Sequence, residues 1–278
     1  MILRAIARYP VKSCRGESLD SAVVEPWGLA GDRRWMAVDD AGDAITAREI
    51  PTLVRTNVLV RDGSLTLRHP AVGELTVTAT SGKVSAQVWD HPVIALDAGP
   101  AAAAWFSEML GVSARLVHLD DPTQRPTNPL RTGPDDRVSL ADAYPLLLAN
   151  QSSLDALNDL IAEGPLADEG PLPMVRFRPN LVVGEAAPWA EDGWRRLRIG
   201  EAEFRVVKGC DRCVFTTIDP DTARKGKEPI ATLARHRRWD GKTWFAVNLV
   251  PDTPWATVRV GDRVEVLDEV SDPDGPLR

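Results

Sequence analysis

The chain has 278 residues, with 33 Lys and Arg against 40 Asp and Glu and a formal net charge of −7. That length can bury a full core as one large or two modest domains, and the acidic balance argues against a general nucleic-acid binder. Apolar residues make up 44% and charged ones 26%, ordinary for a globular protein, and no run approaches the roughly 18 apolar residues of a membrane span. Three cysteines, two of them closely spaced, suit a reducing compartment better than a disulfide scaffold. The opening Met1–Arg8 lacks a signal-peptide pattern, so the expectation is a cytoplasmic protein with no membrane contact.

Up to about Asp97 the pattern is mostly strand. Short extended runs are expected over Leu3–Lys12, Ser18–Val24, Arg34–Val38, Asn57–Val60, Ser64–Leu67, Glu74–Thr78 and Val84–Trp89, separated by turns such as Asp40–Asp43 and Arg61–Ser64. Regular short strands of this kind suggest a barrel or sandwich. Pro100 and Gly111 bracket an expected helix, and Ala114–His118 returns to strand. Asp120–Asp136, rich in Pro, Asp, Thr and Asn, reads as a linker.

The second half again favours strands. Pro145–Ala149 is a short apolar strand, followed by a helix capped by Ser152 or Ser153, with Leu154, Leu157, Leu160 and Ile161 on one face. Phe177–Val183 reads as a strand interrupted at Pro179, and Trp194–Val207 as a hairpin turning at Gly200–Glu201. Val214–Ile218 reads as the next extended run, Glu228–Arg238 as a helix, and two strands finish near Leu267. Arg235–Arg238 is expected to be a solvated basic helix end. The expected fold class is mainly β with a few helices: an N-terminal β-barrel-like domain (1–120), a linker (121–137), a second β-barrel domain (138–270) and a frayed tail (271–278).

Cys210-Asp211-Arg212-Cys213 concentrates the chemistry, with Lys208 and Arg212 close in sequence to bias a thiol toward thiolate. A structural zinc site wants four ligands, and only Cys14 and four scattered histidines accompany this pair. A thioredoxin-like motif should open a helix, whereas β-branched and aromatic residues follow here. Two readings stay open: an inert cysteine pair, and a single soft thiolate ligand to a cofactor metal.

Four more segments bear on that choice: Tyr9-Pro10-Val11-Lys12-Ser13-Cys14-Arg15-Gly16, Gly31-Asp32-Arg33-Arg34-Trp35, Phe177-Arg178-Pro179-Asn180 and Thr216-Thr217-Ile218-Asp219-Pro220-Asp221-Thr222. In this order, with the cysteine loop and Val260-Gly261-Asp262, the chain resembles MOSC-domain proteins over nearly its whole length. More narrowly, it resembles the group containing the mitochondrial amidoxime-reducing component and its bacterial relatives. The resemblance implies a molybdenum cofactor, a pterin dithiolene with a terminal phosphate, whose metal takes one protein cysteine. That residue maps to Cys213, with Cys210 the lesser candidate. A pyridoxal phosphate association is a further label attached to this resemblance.

Around such a cofactor the resemblance assigns Lys12 and Ser13 to the phosphate, and Arg33 and Arg178 to phosphate or pterin oxygens. Asn180 offers donor and acceptor to a pterin edge, and Asp142 could accept from pterin N–H groups. Asp211 and Arg212 complete the set, although relatives often have a small polar residue where Asp211 stands. The implied activity is reduction of N-hydroxylated or N-oxygenated small molecules by a monomer. No cysteine follows Cys213, so an appended iron–sulfur domain is not expected and electrons would come from a separate donor protein. The alternative is a cofactor carrier without turnover, or sulfur transfer through a persulfide on Cys210 or Cys213.

Overall fold

A computed structural model describes residues 1–61, 63–78 and 82–278. Among the described residues, nine strands form one sheet. Its order is Val264–Glu269, Trp194–Ile199, Ala202–Asp211, Lys242–Pro251, Leu146–Asn150, Leu181–Gly184, Ile2–Arg8 and Glu17–Leu19, with Arg238–Trp239 added beside Lys242–Pro251. The pairs are antiparallel except Leu146–Asn150 with Leu181–Gly184, which the helix Gln151–Ala162 connects. Ile2 bridges Arg263, the Val264 amide donates to the Met1 carbonyl at 3.0 Å and the Leu3 amide to the Asp262 carbonyl at 2.9 Å, so the two ends of the sheet meet. Its interior holds Leu3, Ile6, Leu148, Leu181, Trp194, Leu197, Phe204 and Leu249, all at most 2% exposed.

The intervening segment builds a second body. Trp35–Val38, Arg115–His118, His91–Asp97 and Lys83–Val88 form a four-stranded sheet, and Asn57–Arg61, Ser64–His69 and Gly73–Val77 a three-stranded one. The helix Pro100–Leu110 buries Trp105, Phe106 and Met109 against this body, and Gly111 caps it at φ +71°, a backbone conformation that glycine takes without Cβ strain. The mainly β class with few helices is therefore as expected. The first strand nevertheless pairs with residues from the second half, Ile6 opposite Leu181, so Ile2–Arg8 and Glu17–Leu19 serve the larger sheet while standing first in sequence, and Ser21–Glu25 pairs with Gly28–Leu29 and Thr257–Arg259 in a separate three-stranded sheet.

Several local expectations are corrected. Strand His91–Asp97 exists where no separate strand was expected, because its Pro92 and alternating burial give a weak pattern. Asp62, in the expected turn 61–64, lies outside the described residues, although Arg61 and Ser64 do pair. Asn150, not Ser152 or Ser153, caps the helix Gln151–Ala162 by accepting from the Ser152 amide. Val214–Thr217 is a 3-10 turn, since the Thr216 and Thr217 hydroxyls bond back to the Cys213 and Val214 carbonyls and override β propensity. Met174–Phe177 is likewise a 3-10 turn, and the strand begins only at Leu181 after Pro179. The last helix is shorter than expected, Ile230–His236, and three strands follow Trp239.

Two surface segments are more firmly held than their composition suggests, although Arg235, His236 and Arg238 are exposed as expected. Arg237 is 8% exposed and donates to Asp192 at 2.6 Å between the Trp189 and Trp239 rings, so the basic run is not a fully solvated helix end. Residues 121–137 are tied down along their length: Val138 N donates to the Arg125 carbonyl, Thr127 N to that of Asp136, and Arg205 holds the Asp136 carboxylate at 2.9 Å. Among the described residues, no helix is long and apolar enough to cross a membrane.

Candidate functional site

Where the larger sheet meets the smaller body lies a cleft of about 330 Å³. All nine residues expected from sequence line it: Lys12, Ser13, Arg33, Asp142, Arg178, Asn180, Asp211, Arg212 and Cys213. Arg48, Lys208 and Cys210 join them. The chain is acidic overall, yet it aims six cations into this one space against the carboxylates of Asp142 and Asp211. Such focusing marks a site for an anion.

Lys12 follows the first strand and is 5% exposed. Its ammonium donates to the Leu140 carbonyl at 2.9 Å and to Asp142 at 2.5 Å. Burial pushes its pKa down to about 8, against the pull of Asp142. The Asp142 carboxylate also accepts from Arg48 at 2.6 Å. Burial alone would raise its pKa, but Lys12 and Arg48 outweigh that and hold it below the usual carboxylate range. Its side chain keeps 47% exposure into the cleft, so the two cations, not depth, set its charge state.

Ser13, at φ +67°, is buried and accepts from the Ala47 amide at 3.1 Å, which fixes the loop carrying Arg48. Lys225 secures the other side of that loop by donating to the Arg48 carbonyl at 2.8 Å. The Arg48 guanidinium lies 5.0 Å from the Trp89 ring centre and close enough to Cys213 to interact with it electrostatically. Arg48 is thus the cation at Cys213. Sequence reasoning missed it because nothing in Thr46-Ala47-Arg48-Glu49 looks unlike a surface turn.

Arg33 and Arg178 both take left-handed backbone conformations, φ +46° and +55°, and both guanidinium groups lie over the Tyr9 ring, at 4.4 and 4.2 Å. Arg33 has Asp32 at 2.5 Å and the Asn180 carbonyl oxygen at 3.0 Å. Arg178 donates to the Cys14 carbonyl at 2.5 Å, and among the described residues no carboxylate pairs with it. Burial and the neighbouring Arg33 push its pKa down to about 10. A half-buried guanidinium with no direct ion-pair partner is costly, and an incoming anion would repay its desolvation.

The remaining assignments are more local. Asn180 is 1% exposed, with its side-chain oxygen accepting from Arg33 and from the Leu147 amide and its nitrogen donating to Ala7. Those bonds make it a positioning residue for Arg33 and the strand ends. Asp211 is held by Lys208 at 2.7 Å and Lys242 at 3.2 Å, which overcome the effect of burial and keep it ionised. Lys208 therefore serves Asp211 and the Trp244 ring rather than a cysteine.

The two cysteines of the loop differ in environment. Cys210 ends within the strand Ala202–Asp211, where burial raises its pKa, and its sulfur accepts from Arg212 at 2.8 Å. Cys213 is exposed to the cleft at the head of the 3-10 turn. Cys14 is buried, and burial pushes its thiol up to about 12. Among the described residues no three His, Cys, Asp or Glu side chains converge as a metal cluster. A metal held here would bring most of its own ligands and find one accessible sulfur. The donor set suits an anionic, sulfur-bearing metal cofactor: one open thiol, cations from both bodies and an arginine with no direct carboxylate partner.

Comparison with known proteins places the chain in a family. Residues 1–113 match the MOSC N-terminal beta barrel domain, and residues 135–265 match the MOSC domain. The chain is 34% identical to mitochondrial amidoxime-reducing component 1 of Mus musculus, over 93% of this chain and 80% of that protein. Identity to the Homo sapiens protein of the same name is 33%, over 93% and 81%. A molybdenum cofactor sulfurase of Oryza sativa subsp. japonica is 32% identical over 89% of this chain, but the match spans only 32% of that longer protein. The chain belongs to the MOSC-domain family, as a two-domain member similar along most of its length to the mitochondrial amidoxime-reducing components.

Proposed function

We propose that the cleft binds a molybdenum pterin cofactor through Cys213 and that the protein reduces N-hydroxylated or N-oxygenated small molecules. The observation that carries this reading is the open Cys213 thiol facing a cleft with Lys12, Arg33, Arg48, Arg178 and Arg212 around it. When bound, the cofactor supplies two-electron removal of oxygen from nitrogen, with electrons from a separate donor protein. The names of the relatives, amidoxime-reducing component and molybdenum cofactor sulfurase, support association with that cofactor.

In this reading the chain's own residues bind and orient. Lys12 and the two arginines over Tyr9 neutralise phosphate and pterin oxygens, and Ser13 and Asn180 hold the loops that carry them. Arg48 sets a positive charge beside the Cys213 sulfur, where it would offset the negative charge of a ligating thiolate. Asp142, fixed by Lys12 and Arg48, stays ionised and accepts hydrogen bonds. Three free cysteines fit a reducing cytoplasmic setting, and a monomer contains the complete cleft.

The test is elemental analysis and pterin fluorescence on the purified protein, followed by reduction of an aryl amidoxime with an artificial electron donor. Molybdenum, pterin and turnover together are the expected result. The sulfurase relative favours one rival, a carrier without turnover. Tight pterin binding with no reduction of any N-hydroxylated compound would select the carrier, and a sulfur adduct on Cys210 or Cys213 by mass spectrometry would select sulfur transfer.

A further inference from the structure

A second cavity of about 400 Å³ adjoins the cleft, and the two share Asp142 and Ala143 as a common wall. We propose that this second cavity is the substrate pocket, and that it takes the flat, uncharged, apolar body of an N-hydroxylated compound whose N–O end reaches the cleft past Asp142. The inference rests on the reductase reading. With the cofactor held among the cations of the first cleft, the non-reacting part of the substrate needs a neighbouring space, and this one is contiguous with the residue that Arg48 links to Cys213.

The lining suits such a body. Pro126, Pro129, Pro134, Val138 and Ala143 contribute carbon, and prolines bring no backbone N–H to that wall. His91, Thr127 and Asn128 add the few polar atoms that orient a ligand in a mostly apolar pocket. Its charges are already used. Arg125 spends its terminal nitrogens on the Ser139, Ala141 and Asp142 carbonyls, and Asp142 is held by Lys12 and Arg48. A charged substrate body would lose its water there and find no counter-ion.

The wall itself is well fixed. Arg125 is 2% exposed and its terminal nitrogens tie the Ser139, Ala141 and Asp142 carbonyls together behind the cavity. The wall is also preformed: the 126–137 loop is closed by a bridge between Pro126 and Arg137, and Gly133 N donates to Asp136 at 2.7 Å. The stretch that reads as a linker in sequence is thereby a rigid side of the cavity, which lowers the ordering cost of binding.

The experiment fills the cavity from two sides, with His91→Trp and Pro134→Trp, neither residue lining the cofactor cleft. Benzamidoxime and hydroxylamine are compared as substrates, and benzamidoxime is titrated calorimetrically into the protein without any electron donor. Both variants should keep the parental Tm, molybdenum content and kcat/KM for hydroxylamine. For benzamidoxime, Kd and KM should rise at least about tenfold, the scale of a steric pocket clash. Equal losses for both substrates, or unchanged benzamidoxime affinity in both variants, would overturn the proposal. If the parent reduces neither compound, the reductase reading falls. Calorimetry still decides the cavity: lost binding in the variants upholds it, and unchanged binding rejects it.

Discussion

Lys12 and Asp142 meet at 2.5 Å, although 130 positions separate them, and this contact closes the cation-rich cleft between the first strand and the segment before strand Leu146–Asn150. The ammonium is buried and the carboxylate half-exposed, so the pair both links two parts of the chain and fixes a negative charge beside Cys213's arginine.

Asp142→Asn should lower the stability of the cofactor-free protein by about 1–2 kcal/mol at pH 7, a figure discounted for the carboxylate's 47% exposure. Asp142 has a depressed folded-state pKa, so its contribution is present above the unfolded carboxylate pKa and fades as pH falls below it. Urea unfolding at pH 3 and pH 7 checks this: the variant should differ from the parent less at the lower pH.

Arg178→Met should separate binding from folding. It removes a half-buried charge with no direct carboxylate partner, so the cofactor-free Tm should stay level or rise, while retained pterin falls at least about tenfold. Thermal melts of the cofactor-free protein, with pterin fluorescence of the loaded one, test both halves. A large fall in Tm would make Arg178 a structural residue.

Glu191 supplies a pH prediction away from the cleft. It is 1% exposed, bonded by Ser153 at 2.8 Å and Asn150 at 3.1 Å, and burial pushes its pKa up to about 7. Between the ordinary glutamate pKa and pH 7 the folded state holds a proton that the unfolded state has lost, so stability declines as pH rises through that window. Glu191→Gln should remove this decline and gain about 3 kcal/mol at pH 8. Denaturant melts from pH 4.5 to 8 would show it.

Thiol labelling should rank the cysteines. In the cofactor-free protein, iodoacetamide should modify the exposed Cys213 first, with Cys210 at least about tenfold slower because burial limits access to it and raises its pKa despite the Arg212 contact. Cys14, buried and with its thiol pushed up to about 12, should react only on unfolding. Peptide mass spectrometry over time reads the order directly.

Much of this site was legible because its parts are local. Helix Pro100–Leu110 lies between the proline and glycine that bracket it, and the Trp194–Ile199 and Ala202–Asp211 hairpin turns at Gly200–Glu201 as its pattern suggests. The cleft residues sit in short strings whose order resembles one family, and all nine converge. What stayed hidden depends on distance. Nothing near Arg48 announces its place beside Cys213 or over Trp89, and Ile6 opposite Leu181 is a pairing of remote strands. The 121–137 stretch has a linker's composition, yet Arg125 and Asp136 anchor it through partners elsewhere in the chain. Val214–Thr217 misleads because hydroxyl-to-carbonyl bonds defeat its β-branched composition.

Molybdenum K-edge absorption on the loaded protein, compared with Cys213→Ser at equal pterin content, tests the Cys213 assignment most directly. The account predicts one fewer sulfur neighbour at the metal in the variant, with Cys210→Ser unchanged from the parent. An identical sulfur shell in Cys213→Ser, or a sulfur lost only in Cys210→Ser, would contradict it.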